Sequence, residues 1–364
     1  MPYASLSKAL FALTACATPA LRAQEPPAVA WTDVSTWRLE GRAFDDRAAP
    51  FDRLPAAAKA SVRNQVWDLS RHSAGISARF VTDAREVHVR YRLTSARLSM
   101  YHMPATGVSG VDLYARDDAR RLRWVGVSRP AGQDVSQRLC ANLAAPPEGG
   151  REFTLYLPLY NGVERLELGV PEGATLTPLP PRDTKPIVVY GTSIAHGACA
   201  SRPGMAWPAL LSRDIDREVV NLGFSGNGRM ELEVGEHVGA IDAAAFVIDC
   251  LPNMSAAQVQ ARAAPLVRQL RRARPDAHIL LVEDRTFTNA WIFPARQRAH
   301  DERRAALRAA YDELRRDDDR LHYLEGDRLL GADGEAATDG SHPNDLGMRR
   351  QARAVAAALQ KALR

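Results

Sequence analysis

The chain has 364 residues, of which 46% are hydrophobic and 25% charged, and its formal net charge is +5. This composition is ordinary for a globular protein, and it excludes a disordered chain, a collagen, a coiled coil and a disulfide-rich miniprotein. The length predicts about two domains, each long enough to bury a core. No stretch approaches the roughly 18–20 consecutive apolar residues that a membrane-spanning helix needs.

The first 28 residues resemble an export signal. Lys8 precedes a short apolar stretch over residues 9–15, and small residues follow. Two forms of processing remain open. Cleavage after Ala23 would release a soluble protein, whereas the four residues ending at Cys16 resemble a bacterial lipobox, in which Cys16 would carry a lipid and hold the protein at a membrane. Either signal predicts a secreted or periplasmic bacterial protein. A disordered cytosolic N-terminus is the remaining alternative.

Residues 29–180 show short stretches in which apolar and polar residues alternate. Glycine and proline turns separate these stretches, so we predict many short strands, each with one face on a core and one in water. Such a series is typical of an antiparallel β-sandwich, and we expect one of the jelly-roll type. The clearest predicted strands are residues 76–80, 87–93, 122–127, 152–157 and 163–168.

The pattern changes after a stiff, proline-rich joint at residues 178–181. Over residues 184–364, short apolar stretches alternate with amphipathic ones, which predicts a parallel sheet covered by helices on both faces. The predicted strands are residues 187–190, 219–222, 245–249, 278–282 and 322–324. The predicted helices are residues 206–215, 256–274, 295–316 and 347–363.

The charged residues and the cysteines limit the choice of partners and cofactors. Most basic residues are Arg, and they are interleaved with Asp and Glu, as in residues 315–320. A nucleic-acid-binding protein usually concentrates its cations in one stripe, so we expect no nucleic-acid partner. Outside the export signal, Cys140, Cys199 and Cys250 allow one disulfide at most. Because no zinc-type spacing of Cys and His occurs, we expect no metal and no other cofactor.

Residues able to perform acyl transfer follow the predicted parallel strands. Ligands bind at the carboxyl ends of such strands, and Ser193 follows the first of them. A serine hydroxyl needs a base to become a nucleophile, and His342 lies three residues after Asp339, which can hold its other ring nitrogen. The oxyanion formed during attack needs preset donors. The amides of Ser193 and Gly226 and the side-chain NH2 of Asn253 are the candidates.

These positions resemble the four sequence blocks of the SGNH (GDSL-type) hydrolases. The matching residues are 191–194, Gly226, Asn253 and 339–342, in the family's order. The resemblance implies a flavodoxin-like three-layer α/β/α domain over residues 184–364. It also implies that Ser193 is the nucleophile, that Asp339 and His342 complete the triad, and that Gly226 and Asn253 stabilise the oxyanion.

Residues 110–114, with the sequence GVDLY, resemble the GxDLY motif of a β-sandwich module that precedes one branch of this family. We therefore assign residues 29–180 to such a module and expect residues 107–114 to form a loop near the site. Two positions depart from the family pattern. Thr192 stands where Asp is common, and Leu251 stands where Gly usually precedes Asn253, which predicts a reshaped loop.

The predicted function is that of a metal-independent serine esterase acting on small acyl esters, and the resemblance implies acetyl esters of a carbohydrate above all. A lipid or thioester hydrolase is one alternative, and a carbohydrate-binding protein with an inactive hydrolase domain is another. Arg202 is a candidate for binding an anionic substrate group or for a core salt bridge, and Tyr114 is a weaker candidate for contacting the substrate. The aromatic residues of the first domain are expected mainly in its core: Trp67, Tyr101, Tyr114 and Trp124. The oligomeric state is left open.

Overall fold

A computed structural model describes residues 28–363 of the chain. The predicted export signal, with its candidate lipid attachment at Cys16, lies outside these residues and stays a prediction. Among the helices of the described residues, none combines the length and the apolar character needed to span a bilayer.

The first half of the described chain forms two antiparallel sheets, as predicted. Its strands are β1 (Val29–Asp33), β2 (Ser77–Thr82), β3 (Val87–Leu93), β4 (Asp112–Arg116), β5 (Leu122–Val127), β6 (Asp134–Cys140), β7 (Arg151–Tyr156), β8 (Val163–Pro171) and β9 (Leu176–Pro178). One sheet has the order β1-β8-β3-β6 and the other β5-β4-β7-β2-β9. Alternate residues of β3 are buried in the core of this module, where Phe80 stacks on Phe153. The jelly-roll connectivity stays a prediction.

The second half forms a five-stranded parallel sheet, again as predicted. Its strands are β10 (Ile187–Gly191), β11 (Val219–Gly223), β12 (Ala245–Asp249), β13 (His278–Val282) and β14 (Leu321–Leu324). Their order is β11-β10-β12-β13-β14, so the chain reverses direction across the sheet at β10. This 2-1-3-4-5 order is that of flavodoxin-like folds, in which ligands bind at the carboxyl ends of the strands beside the reversal.

Helices cover both faces of the parallel sheet. The helices of the described chain are α1 (Asn64–Ser70), α2 (Ala105–Val108), α3 (Ser193–His196), α4 (Trp207–Ile215), α5 (Leu232–Ala240), α6 (Ala256–Ala273), α7 (Pro294–Leu314) and α8 (Asp345–Ala362). Helices α4 and α8 pack on the face to which Val189 points, and α5, α6 and α7 pack on the face of Val188 and Tyr190. This arrangement is the predicted three-layer α/β/α domain.

The two halves share a core, which the predicted boundary near residue 180 does not show. Leu54, Val66 and Trp67 come from the first half but pack against the α5 face of the parallel sheet. Arg53 is 1% exposed and donates to the carbonyl oxygens of Asn221 at 3.0 Å and Gly223 at 2.8 Å. Trp67 is therefore in a core, as expected, but in that of the second half. A short apolar segment carries no sign of which core it joins.

Candidate active site

Ser193 lies at the start of a tight turn after β10. Thr192 caps α3, and its hydroxyl oxygen accepts from the Ile194 amide at 3.3 Å. A Cβ at Gly191 would lie only 2.7 Å from the Cβ of Ala195, so glycine lets the helix fold back closely on the strand. The turn brings the Ser193 hydroxyl to the carboxyl edge of the sheet, beside the strand-order reversal.

The loop before α8 brings Asp339 and His342 to the same edge. His342 Nε2 lies 2.9 Å from Ser193 Oγ, and His342 Nδ1 lies 2.7 Å from Asp339 Oδ2. The second oxygen of Asp339 accepts from the backbone amides of Ser341 at 3.0 Å and His342 at 2.8 Å. The three residues thus form a continuous chain of hydrogen bonds with the polarity that acyl transfer requires.

The surroundings of Asp339 keep it ionised. Burial opposes ionisation, but hydrogen bonds from the amide and imidazole of His342 and from the Ser341 amide outweigh it and hold the pKa of Asp339 below its ordinary value. A carboxylate at Nδ1 favours the tautomer in which Nδ1 carries the proton. Nε2 is then left as an acceptor facing the Ser193 hydroxyl, so His342 can act as a general base.

The three candidate oxyanion donors follow three neighbouring strands. Gly191, at the end of β10, is paired with both Gly223 and Asp249, at the ends of β11 and β12. Ser193, Gly226 and Asn253 each follow one of these strand ends within four residues. Among residues 28–363, neither the Ser193 amide nor the Gly226 amide donates to a protein acceptor. Both donors therefore remain available for a negatively charged oxygen.

The Asn253 side chain has a defined orientation despite the altered loop before it. In the orientation that satisfies its neighbours, Oδ1 accepts from the amides of Asn227 at 3.1 Å and Gly228 at 3.3 Å, which turns the NH2 group the other way. Asn253 does not cap the nearby helix α6, because the N-cap is Ser255, whose side chain accepts from the Gln258 amide. Asn253 is thus free to donate elsewhere.

Arg202 and Tyr114 connect the two modules instead of lining an open pocket. Arg202 donates to Asp112 Oδ2 at 2.8 Å and to the Tyr114 hydroxyl, and Tyr114 is only 4% exposed. Asp112 also accepts from the Gly204 amide at 2.8 Å and the Trp124 indole at 2.9 Å. The motif residues Asp112 and Tyr114 therefore hold the loop after α3, and the core salt bridge is the role that the geometry gives Arg202.

A different segment of the first module reaches the triad. The expected segment, residues 107–114, packs on the loop after α3, where an added Cβ at Gly107 would lie 2.5 Å from the Ala200 carbonyl oxygen. The ring of His102, however, lies 6.2 Å from that of His342, centroid to centroid. The neighbouring Tyr101 is 94% exposed and Trp124 is 52% exposed, which corrects the expected place of both in the core. The sequence does not indicate that His102 lies beside His342, because a single His in a loop of the first module has no pattern that marks it.

The turn that carries Ser193 is also supported from the first module. The Tyr160 hydroxyl donates to the Ser193 carbonyl oxygen at 3.3 Å, and the Tyr160 ring stacks on His196 at 4.2 Å between centroids. His196 is fully buried and contacts His72, and burial lowers its pKa well below the ordinary value. His196 is therefore a neutral core residue.

The carboxylate at the end of β12 has structural partners, and the cysteines of the described residues form no disulfide. Asp249, at the end of a buried strand, accepts from Arg285 at 2.6 Å and Gln351 at 2.9 Å. Cys140, Cys199 and Cys250 are free thiols. Within the part of the chain that the structure describes, no three His, Cys, Asp or Glu side chains are grouped as metal ligands.

Comparisons with known proteins agree with this fold. Residues 184–360 match the GDSL-like lipase/acylhydrolase family, and residues 29–176 match the GxDLY family, described as the N-terminus of SGNH-hydrolase-type esterases. A GDSL-like lipase from Bacteroides ovatus ATCC 8483 is 32% identical with a TM-score of 0.86, over 92% of this chain and 98% of that one. No curated protein matches the chain.

Two more distant structures share the fold. The salicylyl-acyltransferase SsfX3 from a tetracycline biosynthetic pathway is 20% identical with a TM-score of 0.72, over 92% of this chain and 97% of that one. A family two carbohydrate esterase from Cellvibrio japonicus is 13% identical with a TM-score of 0.58, over 92% and 98% of the two chains. Together with the family matches, these findings show that the chain belongs to the GDSL-like (SGNH) acylhydrolases that carry an N-terminal GxDLY module, and that it is a carboxylic ester hydrolase.

Proposed function

We propose that this esterase removes small acyl groups, above all acetyl, from a carbohydrate, with Ser193 as nucleophile, His342 as general base and acid, and Asp339 as its orienting carboxylate. The proposal depends on one observation, the hydrogen-bond chain from Asp339 through His342 to Ser193 Oγ.

The reaction follows from this geometry in two steps. Ser193 Oγ bonds to the ester carbonyl carbon while His342 Nε2 takes the hydroxyl proton, and the carbonyl electron pair moves onto oxygen. Donors from Ser193, Gly226 and Asn253 stabilise that oxyanion. On collapse, the bond to the alcohol breaks and His342 returns the proton to the leaving oxygen. Water then repeats the sequence on the acyl-enzyme and releases the acid.

Two observations support a carbohydrate as the alcohol. Family two carbohydrate esterases share the fold, and one from Clostridium thermocellum is described in complex with cellohexaose. In this chain a cleft of about 590 Å³ is lined by Gly226 and Asn253. Its wall also includes polar side chains, among them Arg229, Ser255 and Glu302. Such a wall suits a substrate rich in hydroxyl groups.

The acyl preference is tested with p-nitrophenyl esters from acetate to octanoate. We expect kcat/KM to fall by about tenfold or more along the series, because a site shaped for an acetyl group meets longer chains with steric conflict, which costs on the order of 1–3 kcal/mol. Acid released from native acetylated glycans by the wild type and the Ser193→Ala variant then tests the alcohol. Absence of Ser193-dependent acid from every glycan would contradict the carbohydrate proposal.

A second candidate, a lipid esterase, is favoured by one exposed apolar segment. Trp291, Ile292 and Phe293 are 83%, 56% and 47% exposed. Their loop is joined to the triad loop, since the Thr288 amide donates to the Gly340 carbonyl oxygen at 2.9 Å. If this segment binds long acyl chains, kcat/KM in the same ester series will be highest for long chains. Trp291→Ala will then remove that maximum.

Replacing Asn253 by Ala is expected to lower kcat by about 10²–10³-fold with little change in KM, since an oxyanion donor acts mainly in the transition state. Steady-state kinetics on p-nitrophenyl acetate measures this. Asn64→Ala, at an exposed position of α1, is the matched control and should keep the wild-type rate. An unchanged kcat in the Asn253 variant would remove this residue from the oxyanion site.

A further inference from the structure

The tip of one hairpin in the first module lies beside the triad. The backbone groups of Met100 and Met103 exchange two hydrogen bonds of 3.0 Å, which leaves Tyr101 and His102 as the two residues of the tip. Met103 is buried in the core between the parallel sheet and helices α4 and α8. The tip is therefore anchored on the catalytic domain, although it belongs to the other module in sequence.

His102 carries a hydrogen-bonding group that the protein leaves unused. Its Nδ1 is shielded from solvent and has no partner among residues 28–363. Nε2, the other ring nitrogen, has no protein partner among these residues either and is not shielded, so it is the nitrogen that a substrate hydroxyl can reach. Desolvation, with a smaller effect of the nearby His342, lowers the pKa of His102, so at neutral pH its ring offers one donor and one acceptor.

Tyr101 presents an aromatic surface beside this imidazole. Its ring is 94% exposed and lies 4.3 Å from the His102 ring, centroid to centroid. An aromatic ring combines a large apolar face with little conformational freedom to lose, which suits it to pack against the C–H face of a sugar ring. The hairpin tip thus pairs one apolar face with one polar group.

We infer that the hairpin Met100–Met103 is a subsite for the sugar ring that carries the ester, in which His102 binds the hydroxyl next to the esterified oxygen and Tyr101 packs on the ring face. This inference rests on the proposed function. His342 must return its proton to the esterified oxygen, which places that oxygen at Nε2. The neighbouring hydroxyl is one carbon further on, and the His102 ring stands 6.2 Å from the His342 ring, where it can reach that hydroxyl.

The subsite is tested with two defined probes, methyl 2-O-acetyl-β-D-xyloside and its 3-deoxy analogue, which lacks the neighbouring hydroxyl. The wild type should prefer the hydroxylated probe by about tenfold in kcat/KM, the value of one hydrogen bond of about 1.4 kcal/mol. His102→Ala should reduce this preference to near one, and His102→Gln, which keeps hydrogen-bonding groups, should restore most of it.

Tyr101 is tested by the ratio of kcat/KM on the hydroxylated xyloside to kcat/KM on p-nitrophenyl acetate. Tyr101→Ala should lower this ratio about tenfold through KM, and Tyr101→Phe should keep it. Leu232→Ala, at an exposed apolar residue of α5, is the control for loss of surface apolar area and should leave the ratio at the wild-type value.

The outcomes separate this inference from the proposed function. If the wild type hydrolyses the xyloside through Ser193 but His102→Ala keeps the tenfold preference, the subsite is overturned and the carbohydrate esterase stands. If the wild type hydrolyses p-nitrophenyl acetate but neither xyloside nor any acetylated glycan, both proposals are overturned.

Discussion

Replacing Ser193 by Ala is expected to lower kcat for p-nitrophenyl acetate by about 10⁴-fold or more. Without Oγ no acyl-enzyme forms, and only water attack assisted by the oxyanion donors remains. The fold should stay intact, because the only described side-chain hydrogen bond of Ser193 that the variant loses is the one to His342 Nε2. The Thr192 cap of α3 stays in place. Steady-state kinetics measures the loss, and thermal unfolding verifies the fold.

Ser61→Ala is the matched control for this variant. Ser61 is exposed and its hydroxyl contacts His237, away from the triad, so the control should keep the wild-type kcat. Turnover by Ser193→Ala within tenfold of the wild type would show that another group is the nucleophile, and the mechanism proposed above would fail with it.

The second large effect is expected at Asp339, where Asn should lower kcat by about 10³–10⁴-fold. Asp339 uses one oxygen for the amides of Ser341 and His342 and the other for His342 Nδ1. Asn has only one acceptor oxygen. If that oxygen stays on the two amides, the NH2 group faces the imidazole and forces the proton onto Nε2. The ring then can no longer accept the Ser193 proton.

The control for this substitution is Asp333→Asn, which removes a charge paired with Arg350 on the surface and should leave kcat at the wild-type level. Both variants are compared by kcat on p-nitrophenyl acetate and by thermal unfolding. If Asp339→Asn keeps more than a tenth of the wild-type kcat, a group other than this carboxylate sets the tautomer of His342.

The parallel sheet was predictable because its strands are buried on both faces and read as continuous apolar stretches. The predicted strand over residues 278–282 coincides with β13 (His278–Val282). Helix α5 was missed because it contains Gly235 and Gly239, which weaken a helical pattern. In the fold these glycines allow close packing on α6: a Cβ at Gly235 would lie 2.3 Å from Gln269 Oε1. Only the tertiary contact explains them.

The same contrast holds at the site. Ser193, Asp339 and His342 could be named from the sequence because they follow the predicted parallel strands in a recognisable order. His102 could not, because its place depends on how one module packs on the other. Arg202 was ambiguous for a related reason: its carboxylate partner, Asp112, is 90 positions away in the chain.

The loop that carries Gly226 depends on Arg53, a residue of the first module. Its guanidinium is shielded from solvent and satisfies the carbonyl oxygens at the end of β11, a few residues before Gly226. Removing the first module would take away the guanidinium that pairs with those oxygens and would expose apolar side chains of the parallel-sheet domain to water. We therefore expect a single cooperative thermal unfolding transition for the two modules. Esterase activity should be lost in that same transition.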